Sequence, residues 1–403
     1  MDNNVFDRVF SLESLRTSFN QCKIGTSWKE SVIDFDLYSD YLLRDIRDQA
    51  YEGTLKFDPM YHTIIFERGK ERLICSLTIH DRVIQKSLNQ NYILPLMRPK
   101  LIYDNCASLK DRGMDFAMNR LFFHLQHSYD KWGKEFYIMK LDLTSYFDSI
   151  PHNYIYSILD RYTEDKRLMY YIGQILLGYL KDPFIHNGEN VPFGIGLGGE
   201  VPQSFGIICL NELDHIFKEY YRIPYIVRYM DDIILIHPDK EYLQFIFEQT
   251  KNYLTVLNMK LNEKKSYIVK ATEGIKFLKF HFYLGDSYRE VFILPDQKNI
   301  KREKKKICKL VDLFRNNYIL DIKDIIQSYN SWRGHIQRCD SYELLNSMDQ
   351  ILEYTLPSEE EMEHIFVNRF IKSHGNGIHI KMKATNNTIN YNLDKHSIID
   401  KNK

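Results

Sequence analysis

Apolar and polar positions follow helical spacing near the start of the chain and strand spacing further on. Residues 1 to 55 have the mixed apolar and charged periodicity that is typical of helices. Two apolar runs flank a turn at Gly69, which predicts a β-hairpin between residues 60 and 80. Helical periodicity returns from 80 to 130. The first third of the chain is therefore predicted to be helical with one hairpin.

The middle of the chain has a different pattern. Residues 136 to 143 form an apolar run that predicts a strand, and a helix is expected around 151 to 182. A glycine-rich loop at 194 to 199 then leads into a long helix that ends near Tyr221. A second hairpin follows at 225 to 236.

The last third returns to helical spacing after a few strands. A helix is expected at 240 to 258, strands at about 266 to 283, and helices from about 298 to 355. Together these elements predict an α+β fold. After Pro357 the chain becomes acidic and then polar, so the last ten residues are expected to fray.

Composition indicates a globular protein without an obvious electrostatic preference. Hydrophobic residues make up 44% of the 403 residues and charged residues 27%, and the formal net charge is zero. The six cysteines lie far apart, which excludes the usual zinc and disulfide patterns. Without a signal-peptide pattern or an apolar stretch of about 18 residues, the protein is expected to be cytoplasmic and not bound to a membrane.

Three aspartates stand where two predicted strands end or turn. Asp142 ends the first apolar strand, and Asp231 and Asp232 lie at the tip of the later hairpin. Neighbouring carboxylates repel one another, and divalent cations relieve that repulsion. Two Mg²⁺ ions about 3.5–4 Å apart would suit such a group and support nucleotidyl transfer. Turn formation alone is the alternative for Asp231 and Asp232.

The order of several short segments resembles bacterial reverse transcriptases, especially those related to group II introns. The resemblance covers roughly residues 60 to 350. The segments are GKERLI at 69–74, DRVIQ at 81–85, LDLTSYFDSIPH at 141–152, YMDD at 229–232, LNEKKS at 261–266, FLKF at 277–280 and SYNSWRGH at 328–335. The resemblance implies a right-hand polymerase with fingers at 1–135, a palm at 136–285, a helical thumb at 286–356, and a C-terminal extension at 357–403.

The resemblance also implies roles for individual residues. Asp142, Asp231 and Asp232 are expected to ligate the metal ions, while Asp148 is either a further ligand or a surface or helix-capping residue. Phe147 falls at the place of the ring that excludes a ribose 2′-hydroxyl, with a core position as its alternative. Nucleotide-binding candidates are Arg68, Lys70, Arg72, Gly198 and Lys265, although relatives often have a lysine ahead of the glycine turn, where Arg68 stands nearby in this chain.

The expected thumb contains the candidates for nucleic-acid binding. A basic run occupies residues 298 to 309. Its position at the start of the expected thumb favours a helix that contacts phosphates over a helix face that is simply solvated. Trp332 and His335 either contact the duplex or pack within the thumb. The full set of candidates is Lys301, Arg302, Lys304, Lys305, Lys306, Trp332 and His335.

The glycine loop departs from the family pattern. Leu197 stands before Gly198 where many relatives have glutamine, and Pro202 and Gln203 follow. Polymerases of diversity-generating retroelements also have an aliphatic residue there. Because no intron-mobility domain is recognised, the expected function is an RNA-directed DNA polymerase that copies a specific non-coding RNA in defence against phage.

The expected partners are an RNA template, a DNA product and dNTPs. The alternatives are a diversity-generating retroelement enzyme, an untemplated or protein-primed transferase, an RNA-dependent RNA polymerase, and a silent nucleic-acid-binding scaffold. Phe147 disfavours the RNA polymerase, and the intact aspartates disfavour the scaffold.

Overall fold

The computed structural model describes residues 5–67, 70–179, 192–196, 198–316, 321–358 and 361–362. The chain divides into two compact units, Met1–Asp296 and Gln297–Lys403. The division falls between Asp296 and Gln297.

Helices make up most of the first unit. They are α1 (Val5–Phe10), α2 (Leu12–Lys23), α3 (Glu30–Leu37), α4 (Ser39–Glu52), α5 (Ile79–Leu88), α6 (Leu94–Met97), α7 (Met114–Trp132), α8 (Tyr146–Ser149), α9 (His152–Asp160), α10 (Lys166–Gly178), α11 (Glu200–Cys209), α12 (Asn211–His215) and α13 (Lys240–Val256). Short π-helices occupy Asn89–Ile93 and Ile216–Tyr220, and 3₁₀ turns occupy Arg98–Lys100 and Ala271–Glu273.

Three antiparallel sheets complete the described part of this unit. Their strands are β1 (Tyr61–Glu67), β2 (Lys70–Ser76), β3 (Tyr137–Leu141), β4 (Tyr225–Tyr229), β5 (Asp232–His237), β6 (Tyr267–Lys270), β7 (Ile275–Phe277), β8 (Phe280–Leu284) and β9 (Val291–Pro295). β1 and β2 form a hairpin, the central sheet has the order β4-β5-β3-β6, and the third sheet has the order β7-β8-β9.

The central sheet forms because its inner strands are apolar and buried. Four of the five residues of β3 and four of the six of β5 are buried. Strands buried on both faces have continuous apolar runs rather than alternation, as Ile233 to Ile236 do. Among the flanking helices, α13 begins at a side-chain cap, where Asp239 accepts from Tyr242 N. This packing gives β3 and β5 a rigid setting.

The second unit contains helices in its described part. They are α14 (Gln297–Arg315), α15 (Ile322–Ile336) and α16 (Tyr342–Thr355), and their apolar faces form a separate core around Phe314, Tyr329 and Met348. No described helix in either unit has the length and apolar character needed to cross a membrane.

Most predicted elements are confirmed, and the differences are informative. The single helix expected around 151 to 182 is two helices, α9 and α10. The long helix expected after the glycine loop is interrupted at Leu210 and continues as α12 and a π-helix. β9 was not expected, although residues 291–295 are a continuous apolar run of the kind that predicts a strand elsewhere in the chain. Its pairing with β8 places these residues in the first unit.

Candidate active site

The pairing of β3 with β5 places two of the three aspartates opposite each other. Leu141 pairs with Ile233 in an antiparallel register, so the next position on one strand is Asp142 and the preceding position on the other is Asp232. Backbone contacts hold Asp142 from the far side, where Asn262 N donates to its carbonyl at 2.7 Å. The sheet register therefore brings Asp142 and Asp232 together.

Asp231 joins this pair through the tight turn between β4 and β5. Tyr229 pairs with Asp232, which leaves Met230 and Asp231 as the two central residues of the turn. Met230 has a φ of 56°, a conformation that costs a non-glycine residue about 1–3 kcal/mol. Strain of this kind persists where the surroundings fix the backbone, and here it directs Asp231 to the side of Asp142.

Each of two aspartates has its own lysine. Lys265 Nζ lies 2.9 and 3.0 Å from the two carboxylate oxygens of Asp142. Lys140, which is only 8% exposed, donates to Asp232 Oδ2 at 2.8 Å and to the Lys276 carbonyl at 2.8 Å. Lys140 thereby connects Asp232 to the first strand of the third sheet. The sequence alone did not single out this lysine.

Burial makes the charged forms of Asp231 and Asp232 costly. It raises the pKa of Asp232 to about 6, with the nearby charges of Asp231 and Asp142 adding to the effect and Lys140 opposing it. Burial also raises the pKa of Asp231, to which the charge of Asp142 adds. A site with too few positive charges for its carboxylates is suited to cation binding.

The donor set of this site fits a hard divalent cation. The three carboxylates lie at the adjoining ends of β3 and β5 and in the turn before β5, although their oxygens do not all lie within 4.8 Å of one another. Oδ1 of Asp232 is a buried acceptor without a hydrogen-bond partner among the described residues. Buried acceptors are normally satisfied, so this oxygen is free to ligate an ion. Carboxylate oxygens are the ligands that Mg²⁺ prefers in proteins.

Another group of ligand-type side chains is made by Asp58, His80 and Asp81 at the start of α5. The carboxylate of Asp81 already accepts from Asp58 N at 2.9 Å and contacts His80 Nδ1 at 2.8 Å. Thr78 donates to Asp58 at 2.8 Å and caps the helix. These bonds show that the carboxylates of Asp58 and Asp81 already have partners within the fold.

Phe147 lies beside the aspartate turn. A Cβ atom at Gly206 on α11 would lie 3.3 Å from the Phe147 ring and 3.6 Å from Met230 Sδ, so the glycine leaves the ring its space. The Tyr146 hydroxyl donates to the Gly206 carbonyl and fixes the neighbouring backbone. The sequence did not indicate Gly206, since a glycine inside a helix has no distinctive pattern.

The glycine loop packs on the end of β2. Gly198 has a φ of 134°, and a Cβ there would lie 2.6 Å from the Cys75 carbonyl oxygen, so only glycine fits. Leu197 lies outside the described residues. Further along, Gln203 accepts from the Ser108 hydroxyl at 3.0 Å.

The candidates for triphosphate binding lie on the hairpin of β1 and β2. Lys70 pairs with Glu67 and Arg72 pairs with Ile65 along the two strands. Arg68 and Gly69 lie outside the described residues.

The basic candidates of the second unit lie on α14. Lys301, Arg302, Lys305 and Lys306 are exposed and Lys304 is half-buried. Trp332 is 7% exposed and contacts Tyr329 in the core of this unit, so packing accounts for its ring. His335 on α15 is partly buried.

Known proteins match different fractions of this chain. The sequence profile of the reverse transcriptase family, described as RNA-dependent DNA polymerase, matches residues 55–282. The COX1/OXI3 intron 2 protein of Saccharomyces cerevisiae is 23% identical over 305 residues, which cover 60% of this chain and 34% of that protein. The chain thus spans about a third of the length of this relative.

Solved telomerase structures are also similar. Apo telomerase from Candida tropicalis, truncated from its C-terminal domain, has a TM-score of 0.42 and 14% identity over 63% of this chain and 60% of that one. Telomerase from Candida albicans, in complex with a fragment of telomeric RNA, has a TM-score of 0.45 and 12% identity over 85% of this chain and 65% of that one.

The family match covers more than half of the chain and includes the hairpin of β1 and β2, the three aspartates and Lys265. It confirms the predicted fold class, an α+β polymerase of the right-hand type. The chain belongs to the reverse transcriptase family of RNA-dependent DNA polymerases.

Proposed function

We propose that the protein is an RNA-directed DNA polymerase whose active site is formed by Asp142, Asp231 and Asp232. The observation that carries this proposal is their position at the adjoining ends of β3 and β5 and in the turn between β4 and β5, with the Asp232 Oδ1 atom left without a partner among the described residues. The family to which the chain belongs supports the same activity.

In this proposal the three carboxylates hold two Mg²⁺ ions. Such ions supply the positive charge that activates an attacking hydroxyl and stabilises a leaving pyrophosphate. Asp142 is buried and Asp232 is partly buried, so their oxygens are held before substrate arrives and little reorganisation is needed during reaction. Lys265 is half-exposed and has three N–H donors, two of which point to Asp142, so one donor is available for a phosphate.

The sugar of the incoming nucleotide is selected by Phe147 in this proposal. Its ring packs closely against Gly206, so it cannot move towards α11 without disturbing that helix. Confinement converts a simple contact into a steric barrier, because a packed ring yields only at the cost of strain. Deoxynucleotides are therefore the preferred substrates.

The remaining candidates receive roles by their position in the chain. Arg68, Lys70, Arg72 and Gly198 belong to the proposed fingers and the loop beside them, where they contact the nucleotide and its template. The exposed cations of α14 follow template phosphates in the proposed thumb. The proposed subdomains are fingers at 1–135, palm at 136–285, thumb at 286–356 and an extension at 357–403.

Template use tests this function. The purified protein is given Mg²⁺, dNTPs and a primer annealed to RNA, annealed to DNA of the same sequence, or left single-stranded. The proposal expects extension that copies the RNA. Extension of the single strand alone would identify an untemplated transferase, and a preference for ribonucleotides would identify an RNA polymerase.

We further propose that the natural template is one non-coding RNA and that the role is defence of a bacterium against phage. The altered loop at Leu197 to Gln203 supports a specialised template, because it departs from the glutamine-glycine pattern of many relatives. RNA and cDNA that co-purify with the protein from its host test this role. A single dedicated transcript is expected, whereas cDNA with adenine substitutions directed to a repeat would indicate a diversity-generating element.

A further inference from the structure

Arg228, three positions before Asp231, is the largest side chain that is fully buried in the described part of the chain. Its guanidinium forms an ion pair with Asp214 on α12, with N–O distances of 2.8 Å, and both side chains are 0% exposed. A buried ion pair needs a full set of hydrogen bonds to be tolerated, and it often adds specificity rather than stability. The position of this pair therefore points to a function beyond core packing.

The guanidinium also donates to two backbone carbonyls, one in the aspartate turn and one in α11. Nη1 donates to the carbonyl of Met230 at 3.2 Å, and Nη2 donates to the carbonyl of Ile207 at 2.8 Å. Met230 is the left-handed residue of the turn that carries Asp231. Ile207 directly follows Gly206, the glycine that confines Phe147.

The backbone of Arg228 is also fixed. Its N–H donates to the Asp104 carbonyl at 3.0 Å, and its own carbonyl accepts from Cys106 N at 2.8 Å. These bonds hold β4 to the loop that precedes α7. The guanidinium thus projects from a fixed backbone and has little freedom to follow a movement of the turn or of α11.

We propose that Arg228, held by Asp214, is a positioning residue that sets the distance between the aspartate turn and the Phe147 gate. One planar group binds the carbonyl beside Asp231 and the carbonyl beside Gly206, so the metal site and the gate are placed as one body. This inference rests on the proposed function of Asp231 and Phe147. It assigns neither metal binding nor substrate contact to Arg228 itself.

The pair can be removed without leaving an unpaired charge. Arg228→Met together with Asp214→Leu replaces both groups by apolar side chains of similar size, a change that is often neutral for folding. Arg228→Lys keeps the charge opposite Asp214 but lacks the planar fork that reaches both carbonyls. The matched control is Arg161→Met with Glu212→Gln. It removes an exposed ion pair whose carboxylate, Glu212, lies two residues before Asp214.

Three measurements test the proposal on these variants. They are hydrogen exchange of the amides at residues 229–232, the kcat for dNTP addition on primed RNA, and the ratio of ribo- to deoxynucleotide incorporation. In the double variant and in Arg228→Lys we expect about tenfold faster exchange at the turn. Misplacement by about 1 Å predicts a loss in kcat of roughly 100-fold. The discrimination ratio should fall in the same variants, and the control should match the wild type in all three.

Each outcome separates this inference from the function on which it rests. Folded variants with wild-type exchange, kcat and discrimination would overturn the role of Arg228. A loss in kcat with unchanged discrimination would overturn the link to the gate. If the wild type itself adds no nucleotide, the proposed function fails, and hydrogen exchange at the turn still decides whether Arg228 fixes it. If the double variant does not fold, Arg228→Lys carries the test.

Discussion

Replacement of Lys140 by methionine tests whether this buried lysine compensates the negative charge of Asp232 within the site. The lysine is buried, and its Nζ bonds to Asp232 and to the Lys276 carbonyl would both be lost. Removing one partner of a buried pair costs about 3–5 kcal/mol, because the other charge is left without compensation. Since the carboxylate of Asp232 keeps partial contact with solvent, with 18% exposure, we expect about 3 kcal/mol in the free energy of unfolding at pH 8.

The penalty should depend on pH with a definite sign. The pKa of the Asp232 carboxyl is about 6 in the wild type, and it rises further when Lys140 is removed, because this lysine lowers it. Above that pKa the variant must bury an unpaired carboxylate. As pH falls through it, the carboxyl takes up a proton and the unpaired charge disappears. The cost of Lys140→Met is therefore larger at pH 8 than at pH 5.

The assay is urea unfolding in EDTA, followed by circular dichroism at both pH values. Lys270→Met is the matched control, since Lys270 on the adjacent strand pairs with Glu135 at the surface and its removal should leave stability unchanged. Adding Asp232→Asn to Lys140→Met should recover part of the loss at pH 8. A Lys140→Met variant as stable as the control at pH 8 would refute this role of Lys140.

The remaining predictions concern substrate, template and metal. Phe147→Ala should raise ribonucleotide incorporation about 10- to 100-fold relative to dNTPs, whereas alanine at the exposed Phe245 should not, and an unchanged ratio would leave Phe147 as a packing residue. Glutamine at Lys304, Lys305 and Lys306 should weaken template binding and make it less dependent on salt. The slope of log binding constant against log salt concentration should become shallower by about 0.9 per lost phosphate contact on duplex DNA, as measured by fluorescence anisotropy at several salt concentrations. Equal slopes for wild type and variant would assign the run to a solvated face. Binding of Mn²⁺ to the nucleotide-free protein should weaken as pH falls through about 6, because the carboxyl of Asp232 is protonated there, and electron paramagnetic resonance titrations at pH 8 and 5.5 measure this. A pH-independent affinity would exclude Asp232 from the site.

Much of the scaffold around the site was predictable from local pattern. The apolar run before Asp142 and the paired runs around Asp231 have the local pattern of strands, so they could be predicted without knowledge of their pairing partners. The order of the strands in the sheet was not predictable in this way. That β3 lies between β5 and β6 is decided by which apolar faces pack together, and it is this order that places Asp142 opposite Asp232.

The residues that support the site were missed for a common reason. Lys140, Gly206 and Arg228 act through contacts with residues far away in the chain, such as Lys276, Phe147 and Asp214. Lysine and arginine in an otherwise apolar strand carry a weak signal, because charged residues are rarely buried unless paired. That signal identifies an unusual position, but the partner becomes visible only in the folded chain.

The central claim is tested most directly by the rate of dNTP addition to an RNA-annealed primer in the presence of Mg²⁺, for wild type, Asp231→Asn and Asp148→Asn. Asp148 is an exposed carboxylate close to Asp142 in the chain, so its variant controls for loss of charge in the same region. The account predicts that the wild type extends the primer and that Asp148→Asn does so at a near-normal rate. Asp231→Asn should lose several kcal/mol of transition-state stabilisation, which lowers the rate about 100- to 1,000-fold. A folded Asp231→Asn protein that extends the primer at the wild-type rate would contradict it.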